Sequence, residues 1–185
     1  MALTATVYHW QVALSDVDRG VYETLDLRLA RHPSETLRYL LTRALAYCLS
    51  YQEGIVFSKE GLCSTEEPPV GVRDATGALV AWIEIGSPSA DRLHKASKAA
   101  DRVALFTSAD LALLRREAAS RPVHRLESIQ VHWLDPAFLD ALESRIDRNQ
   151  SWELVHNDGR LYVTVSGDTV EGELARESLA RDREA

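Results

Sequence analysis

The stretch Val70-Gly-Val-Arg-Asp-Ala-Thr-Gly-Ala-Leu-Val-Ala-Trp-Ile-Glu-Ile-Gly86 decides how the rest of the chain is read. Two apolar runs, Val70–Arg73 and Ala78–Ile85, flank Asp74-Ala-Thr-Gly77, and an Asp-to-Gly segment between such runs is hairpin chemistry. Glu84 breaks into the second run between Ile83 and Ile85. An acid there is either a solvated strand end or a group put to use. If Asp74 and Gly77 close the turn, counting back along both strands sets Glu84 opposite Glu67 and Trp82 opposite Pro69, all on one face. Asp74 itself stays at the turn, on the order of 20 Å from Glu84 at ~3.3 Å per residue.

Upstream, Leu37, Leu40, Leu41, Ala44, Leu45, Cys48 and Leu49 recur at helical spacing, with Ser34 as the expected N-cap and Glu35 in the first turn. Ile55–Ser58 is a short strand candidate. Downstream, Ser87-Pro-Ser89 opens a helix expected to run to about Arg102. Its apolar stripe is Leu93, Ala96, Ala100 and Val103, and its other face carries Arg92, Lys95, Lys98 and Arg102. Val103–Thr107 is short and apolar enough for a buried strand. The order is therefore helix, three strands, helix, strand.

Before this unit, Thr6–Leu14 and Val21–Ala30 alternate around a turn at Ser15–Gly20 and predict a hairpin. After it come a helix at Ala109–Ala119, a strand at Ser128–Trp133 and a helix at Asp135–Ile146. Strands at Trp152–Val155 and Arg160–Val165 then surround Asn157-Asp-Gly159. The fold class is mixed α/β (α+β), with helices over one sheet. Residues 1–167 are expected to form one domain, and 168–185 an acidic, arginine-containing tail, partly disordered.

The 185 residues carry a net charge of −7. That argues against a sequence-blind nucleic-acid binder, which needs an excess of Lys and Arg, unless a local basic face supplies one. Arginines number 18 and lysines three, a bias that a GC-rich genome would produce. Cys48 reads as a core residue, and with Cys63 makes neither a disulfide framework nor a zinc spacing. The start of the chain has no leader pattern and nothing approaches a membrane span, so a cytoplasmic protein is expected. The glycine-rich phosphate loops, the HExxH helix and the GxSxG elbow are all missing, and the six histidines are scattered singly.

Five segments resemble the YaeQ family: Ala5-Thr-Val-Tyr8, Asp16-Val-Asp-Arg-Gly-Val-Tyr22, Leu29-Ala-Arg-His-Pro-Ser-Glu-Thr36, Asp74-Ala-Thr-Gly77 and Trp82-Ile-Glu-Ile-Gly86. The resemblance runs nearly end to end and weakens after about Val170. It implies a variant of the PD-(D/E)XK nuclease fold, with a restriction-endonuclease-like αβββαβ core, an added N-terminal hairpin and added C-terminal strands. That fold holds Mg²⁺ on hairpin carboxylates, hard oxygen donors that suit the ion, beside a charge-stabilising lysine.

The resemblance thus implies Glu84 as principal metal ligand with Glu67 as the second, Lys95 as the displaced lysine, and Glu35 as an additional acid. Arg92, Lys98 and Arg102 would contact phosphates. Two positions depart from the pattern: Pro69 stands where an aspartate is expected, and Gly86 where the lysine is. The implied activity is Mg²⁺-dependent phosphodiester hydrolysis on nucleic acid. The alternative is a catalytically lapsed nuclease fold that binds nucleic acid or protein, with Glu84 in an ordinary ion pair with Lys95.

Overall fold

The computed structural model describes residues 5–59 and 64–180. Cys63 and residues 181–185 of the expected tail lie outside them. Fourteen elements follow in order: β1 (Thr6–Asp16), β2 (Val21–Arg31), α1 (Leu37–Leu49), β3 (Ile55–Phe57), β4 (Val70–Arg73), β5 (Leu79–Ile85), α2 (Ala90–Ala99), β6 (Arg102–Thr107), α3 (Leu111–Ala118), β7 (Gln130–Leu134), α4 (Pro136–Glu143), β8 (Asn149–Asn157), β9 (Arg160–Val165) and β10 (Asp168–Glu177). This is a mixed α+β fold built on one ten-stranded sheet in the order β2-β1-β8-β9-β10-β7-β6-β5-β4-β3. β5, β6 and β7 run parallel, β1 runs parallel to β8, and the remaining pairs are antiparallel. Among the described residues no helix is long and apolar enough to cross a membrane.

The two-residue alternation of β1 and β2 turns Tyr8, Trp10, Val12 and Leu14, with Leu25, Leu27 and Leu29, to one buried face. Trp10 stacks on Trp152 of β8 at 4.5 Å and donates its indole N–H to the Asp147 carbonyl at 2.8 Å. α1 lies against this face. It touches β2 at one edge of the sheet and β3 at the other, so the sheet wraps around it. Its apolar stripe is buried as the spacing predicts, including Cys48, whose thiol burial pushes up to about 12. A second core under α2 and α3 joins Trp82, Leu93, Val103, Leu105, Leu114 and Val131 on the opposite face of the sheet. β5 is therefore covered on both sides.

Three expectations need correction. The N-cap of α1 is Thr36, whose Oγ1 accepts from Tyr39 N at 3.1 Å. The Ser34 hydroxyl is already engaged with His32 Nδ1 at 2.6 Å, so Glu35 precedes the helix and is not in its first turn. The β4–β5 turn closes through Asp74 N to the Ala78 carbonyl at 3.0 Å, not through Gly77 alone, and a bulge follows between Val72 and Arg73. Val70 then faces Ile83 and Gly71 faces Trp82, and that register continued one step past the start of β4 brings Pro69, not Glu67, opposite Glu84. Asp74 takes Thr76 Oγ1, Thr76 N and Ala78 N onto one oxygen; the Thr76 hydroxyl bond above all holds its carboxyl below the usual range.

The third correction concerns the tail. Residues 168–177 form β10, which hydrogen-bonds to β9 on one side and β7 on the other. Val170, Gly172 and Leu174 point inward, and Leu179 beyond the strand is buried in the second core. Period-two apolar residues separated by acids give a sequence that looks like a charged tail but folds as a half-buried strand. Gly172 leaves no room for a side chain: a Cβ there would lie 2.3 Å from the Phe138 ring of α4. We therefore expect Gly172→Ala to lower stability by about 1–3 kcal/mol through overpacking, read as a lower urea midpoint at unchanged m-value. An unshifted midpoint would mean that β10 does not pack beneath α4.

Candidate functional site

β5 ends in Glu84-Ile85-Gly86, and Gly86 adopts φ 84°, which lets the chain turn sharply into Ser87-Pro88-Ser89 and α2. Ser89 caps α2 by accepting from Arg92 N at 3.2 Å. Above this corner lies an open cavity of about 570 Å³, bordered by Tyr39, Ser64, Glu84, Gly86, Arg92 and Lys95 among others. Position 84 has the parity of Trp82, so its side chain emerges on the α2 face of the sheet and is only 4% exposed.

Both oxygens of Glu84 are occupied. Oε2 accepts from the Trp82 indole N–H at 2.8 Å and from Arg92 Nε at 2.7 Å, and Oε1 accepts from Ile85 N at 3.2 Å. Arg92 is equally committed. Its Nη1 donates to the Thr65 and Ser64 carbonyls at 2.8 and 3.2 Å, and its Nη2 to the Glu67 carbonyl at 2.8 Å. Its guanidinium also lies over the Trp82 ring, 4.7 Å from the centroid. The side chain expected to grip phosphate instead ties α2 to the segment preceding β4.

The other expected residues do not converge on Glu84. Lys95 borders the cavity, but its ammonium pairs with Glu66, and that bond above all holds the Glu66 carboxyl below its usual range. Lys95 is thus not the partner of Glu84. The Glu67 carboxylate pairs with Arg73 at 3.5 Å and borders a different cavity. Glu35 is 1% exposed and sits 3.0 Å from Arg43 Nη2, while its other oxygen accepts from His32 N at 3.1 Å. Burial pushes its pKa up, against the opposing pull of Arg43.

Tyr39 lies within electrostatic reach of both the Glu84–Arg92 and Glu35–Arg43 pairs. Burial, then the charge of Glu84, raises its hydroxyl pKa, so Tyr39 remains a proton donor at the cavity edge. Lys98 makes no hydrogen bond or ion pair among the described residues. Arg102 donates to Gln52 Oε1 at 3.3 Å, at the far end of β6 from the Glu84 corner.

This donor set does not fit a magnesium ion. Among the described residues no group of three or more His, Cys, Asp or Glu side chains is arranged to hold a metal. Each expected carboxylate carries its own cation: Arg92 on Glu84, Arg73 on Glu67 and Arg43 on Glu35. Pro69 offers no oxygen side chain opposite Glu84. The sequence did contain one trace of the true arrangement, since Trp82 and Glu84 are two apart on a strand and must share a face. The reach of Arg92 and the role of Glu66 depend on the path of residues 64–67, which have no periodic signal.

Comparison with known proteins places this geometry in a family. The sequence profile described as "YaeQ protein" matches residues 1–174. A protein of Escherichia coli (strain K12) described as "Uncharacterized protein YaeQ" is 32% identical over 173 residues, covering 92% of this chain and 94% of that one. A namesake from Salmonella typhi is 31% identical over 175 residues, covering 94% and 96%. The crystal structure of the YaeQ protein from Pseudomonas syringae superposes with a TM-score of 0.85 at 29% identity, covering 94% of this chain and 96% of that one. The YaeQ protein from Xanthomonas axonopodis pv. citri gives 0.84 at 28% identity, covering 95% and 99%.

The pairing of Glu84 with Arg92 has a measurable signature. Arg92→Ala strands a buried carboxylate and is expected to cost about 3 kcal/mol or more, whereas Glu84→Gln keeps an acceptor for the indole and costs less. In urea titrations of the two single variants and the double variant, the second substitution should cost less in the presence of the first, by about 1 kcal/mol or more. Additive losses would mean that the two side chains do not act as a pair.

Proposed function

The chain belongs to the YaeQ family, and we propose that it is a variant PD-(D/E)XK nuclease fold whose catalytic centre has lapsed and which serves as a binding module. The order α1-β3-β4-β5-α2-β6 supports the first half of this reading, because it is the αβββαβ order of that fold. On this reading Glu84 occupies the hairpin position of an acidic ligand. The second half rests on one observation: the Glu84 carboxylate is sealed by Trp82, Arg92 and the Ile85 amide. A guanidinium fixed by three backbone carbonyls supplies the positive charge that a divalent ion would otherwise bring to that carboxylate. Pro69 stands in place of the expected aspartate, the wider Asp74–Ala78 turn and the bulge together carry Glu67 out of register, and Lys95 is turned to Glu66.

Nucleic acid is a poor match for the surface around this corner. Of the three cations that would track a phosphate backbone, Arg92 is spent internally, Arg102 stands at the opposite strand end, and Lys98 is left alone in a chain of net charge −7. The partner on this reading is not a nucleic acid, and the cavity above Glu84 offers it hydroxyls at Tyr39, Ser64, Ser87 and Ser89 beside one acid, Asp91, and one ammonium, Lys95.

The test is cleavage of labelled single- and double-stranded DNA and RNA in Mg²⁺ or Mn²⁺, with Glu84→Ala protein purified in parallel. We expect no cleavage that depends on Glu84, and no salt-sensitive retention of any of the four substrates. Metal-dependent cleavage that disappears in the Glu84→Ala protein would overturn the proposal and restore the nuclease reading.

A further inference from the structure

A second cavity, of about 320 Å³, lies on the α1 face of the sheet, at the end of β5 remote from Glu84. It is enclosed by the end of α1, the starts of β6 and β7, and the end of β10. Arg19, Arg102 and Arg176 all border it, together with Gln52, Gln130 and His132, and among the described residues no Asp or Glu does. A neighbouring chamber of about 230 Å³ shares Arg19, His132 and Arg176 with it. We propose that this three-arginine chamber is a binding site for a phosphate group carried by a small molecule, independent of what the Glu84 corner does.

Three guanidiniums around one small space repel one another, and an excess of acids over bases in the chain makes the clustering unlike the average surface. Arg176 is exposed on the inward-pointing side of β10 and makes no hydrogen bond or ion pair among the described residues. Among the described residues Arg102 has only Gln52 Oε1. Arg19 is held in place by the Leu49 and Tyr51 carbonyls at 2.7 and 2.6 Å, which also offsets the negative end of the α1 dipole facing the chamber. Its ion pair to the buried Asp16 is long, 3.5 Å.

Asp18 and Asp158 border the neighbouring chamber, and the buried Asp16 lies behind Arg19; Asp16 and Asp18 are already engaged. Asp16 is 2.9 Å from His156 Nδ1, and Asp18 accepts from Asp158 N and Gly159 N at 2.7 and 3.2 Å. His132 completes the case. Its ring stacks on Phe106 at 4.5 Å, and its Nδ1 is buried without a hydrogen-bond partner among the described residues, which is uncommon for a native side chain. Burial, then the charges of Arg176, His156 and Arg19, lowers its pKa to about 4, so it faces the chamber as a neutral ring. A phosphate dianion would relieve the repulsion, take paired N–H donors from two arginine forks, and give His132 a charged neighbour. The volume suits a small phosphorylated compound and excludes a duplex.

The experiment is a titration of the full chain with inorganic phosphate and then pyrophosphate at constant ionic strength, followed by arginine Nε and histidine ring resonances. We expect saturable shifts at Arg19, Arg102, Arg176 and His132, with a Kd below about 1 mM for at least one of the two ions. The His132 titration should move upward when the site is filled, because a bound anion favours the imidazolium. Arg102→Gln and Arg176→Gln, both at exposed positions, should each weaken binding at least about tenfold, while Arg28→Gln on β2 leaves it unchanged. The absence of saturation by either ion, or shifts that survive both chamber substitutions, would overturn the assignment.

Discussion

β5 is covered on one face by α1 and on the other by α2, and Glu84 stands near its end with 4% of its surface exposed. A carboxylate taken that far out of water loses several kcal/mol of hydration and must recover it locally. Arg92, the Trp82 indole and the Ile85 amide do so, and the consequences spread outward. The guanidinium reaches Glu84 only from the first turn of α2, which fixes how that helix leaves the Gly86 corner. Its remaining donors go to the Ser64, Thr65 and Glu67 carbonyls, which fixes the approach to β4. One buried charge thus ties together a strand, a helix and a connection, and the exposed Lys95–Glu66 pair adds a second link between the helix and that connection. Such a pair specifies arrangement more than it adds stability, since an apolar replacement of similar volume is often neutral.

The same device recurs at the start of α1. Glu35 leaves β2 and turns inward to Arg43 on the helix, whose guanidinium also donates to the Ala30 carbonyl at 3.0 Å. Tyr39 on α1 lies between the two pairs, within electrostatic reach of each. Arginine suits both places because its planar fork can satisfy a carboxylate and several carbonyls at once, and it sheds water more readily than an ammonium. The excess of arginine over lysine in this chain is therefore put to structural use, whatever its genomic origin.

What the residues revealed in advance follows from the range of the forces involved. Elements set by local periodicity were legible: α1 through its leucine stripe, β9 through its alternation, and the turn at Asn157-Asp-Gly159, where Asp158 and Gly159 both take positive φ. Register was not, because the turn closes one residue wider than expected, at Asp74–Ala78, and a bulge at Val72/Arg73 adds a second step, and neither leaves a mark in a pattern of apolar residues. β10 was misread for a related reason. Alternating acids on its outer face dominate the composition, while Gly172 and Leu174 do the packing. The site residues Glu84, Glu35, Lys95 and Glu67 were picked by type and approximate position, but which cation each carboxylate meets is a long-range question. Arg92 for Glu84, and Arg43 for Glu35, are answers that spacing alone does not contain.

The charge of the fold is arranged unevenly along its parallel strands. In open α/β sheets ligands gather at the carboxyl ends of the strands. Here the carboxyl end of β5 is neutralised by its own arginine, and at the amino ends of β6 and β7 three arginines border one cavity, Arg19 with a long ion pair to Asp16 and the other two with none among the described residues. Two of the three guanidiniums there come from outside the αβββαβ unit: Arg19 from the β1–β2 turn and Arg176 from the last strand. Arg19 can reach the chamber because the sheet curls until the first hairpin meets the end of α1, and Arg176 because β10 runs antiparallel between β9 and β7. The additions to the core thus do more than extend the sheet. They assemble a cationic cavity that the core alone lacks, on the opposite face from the corner where the core has cancelled its own acid.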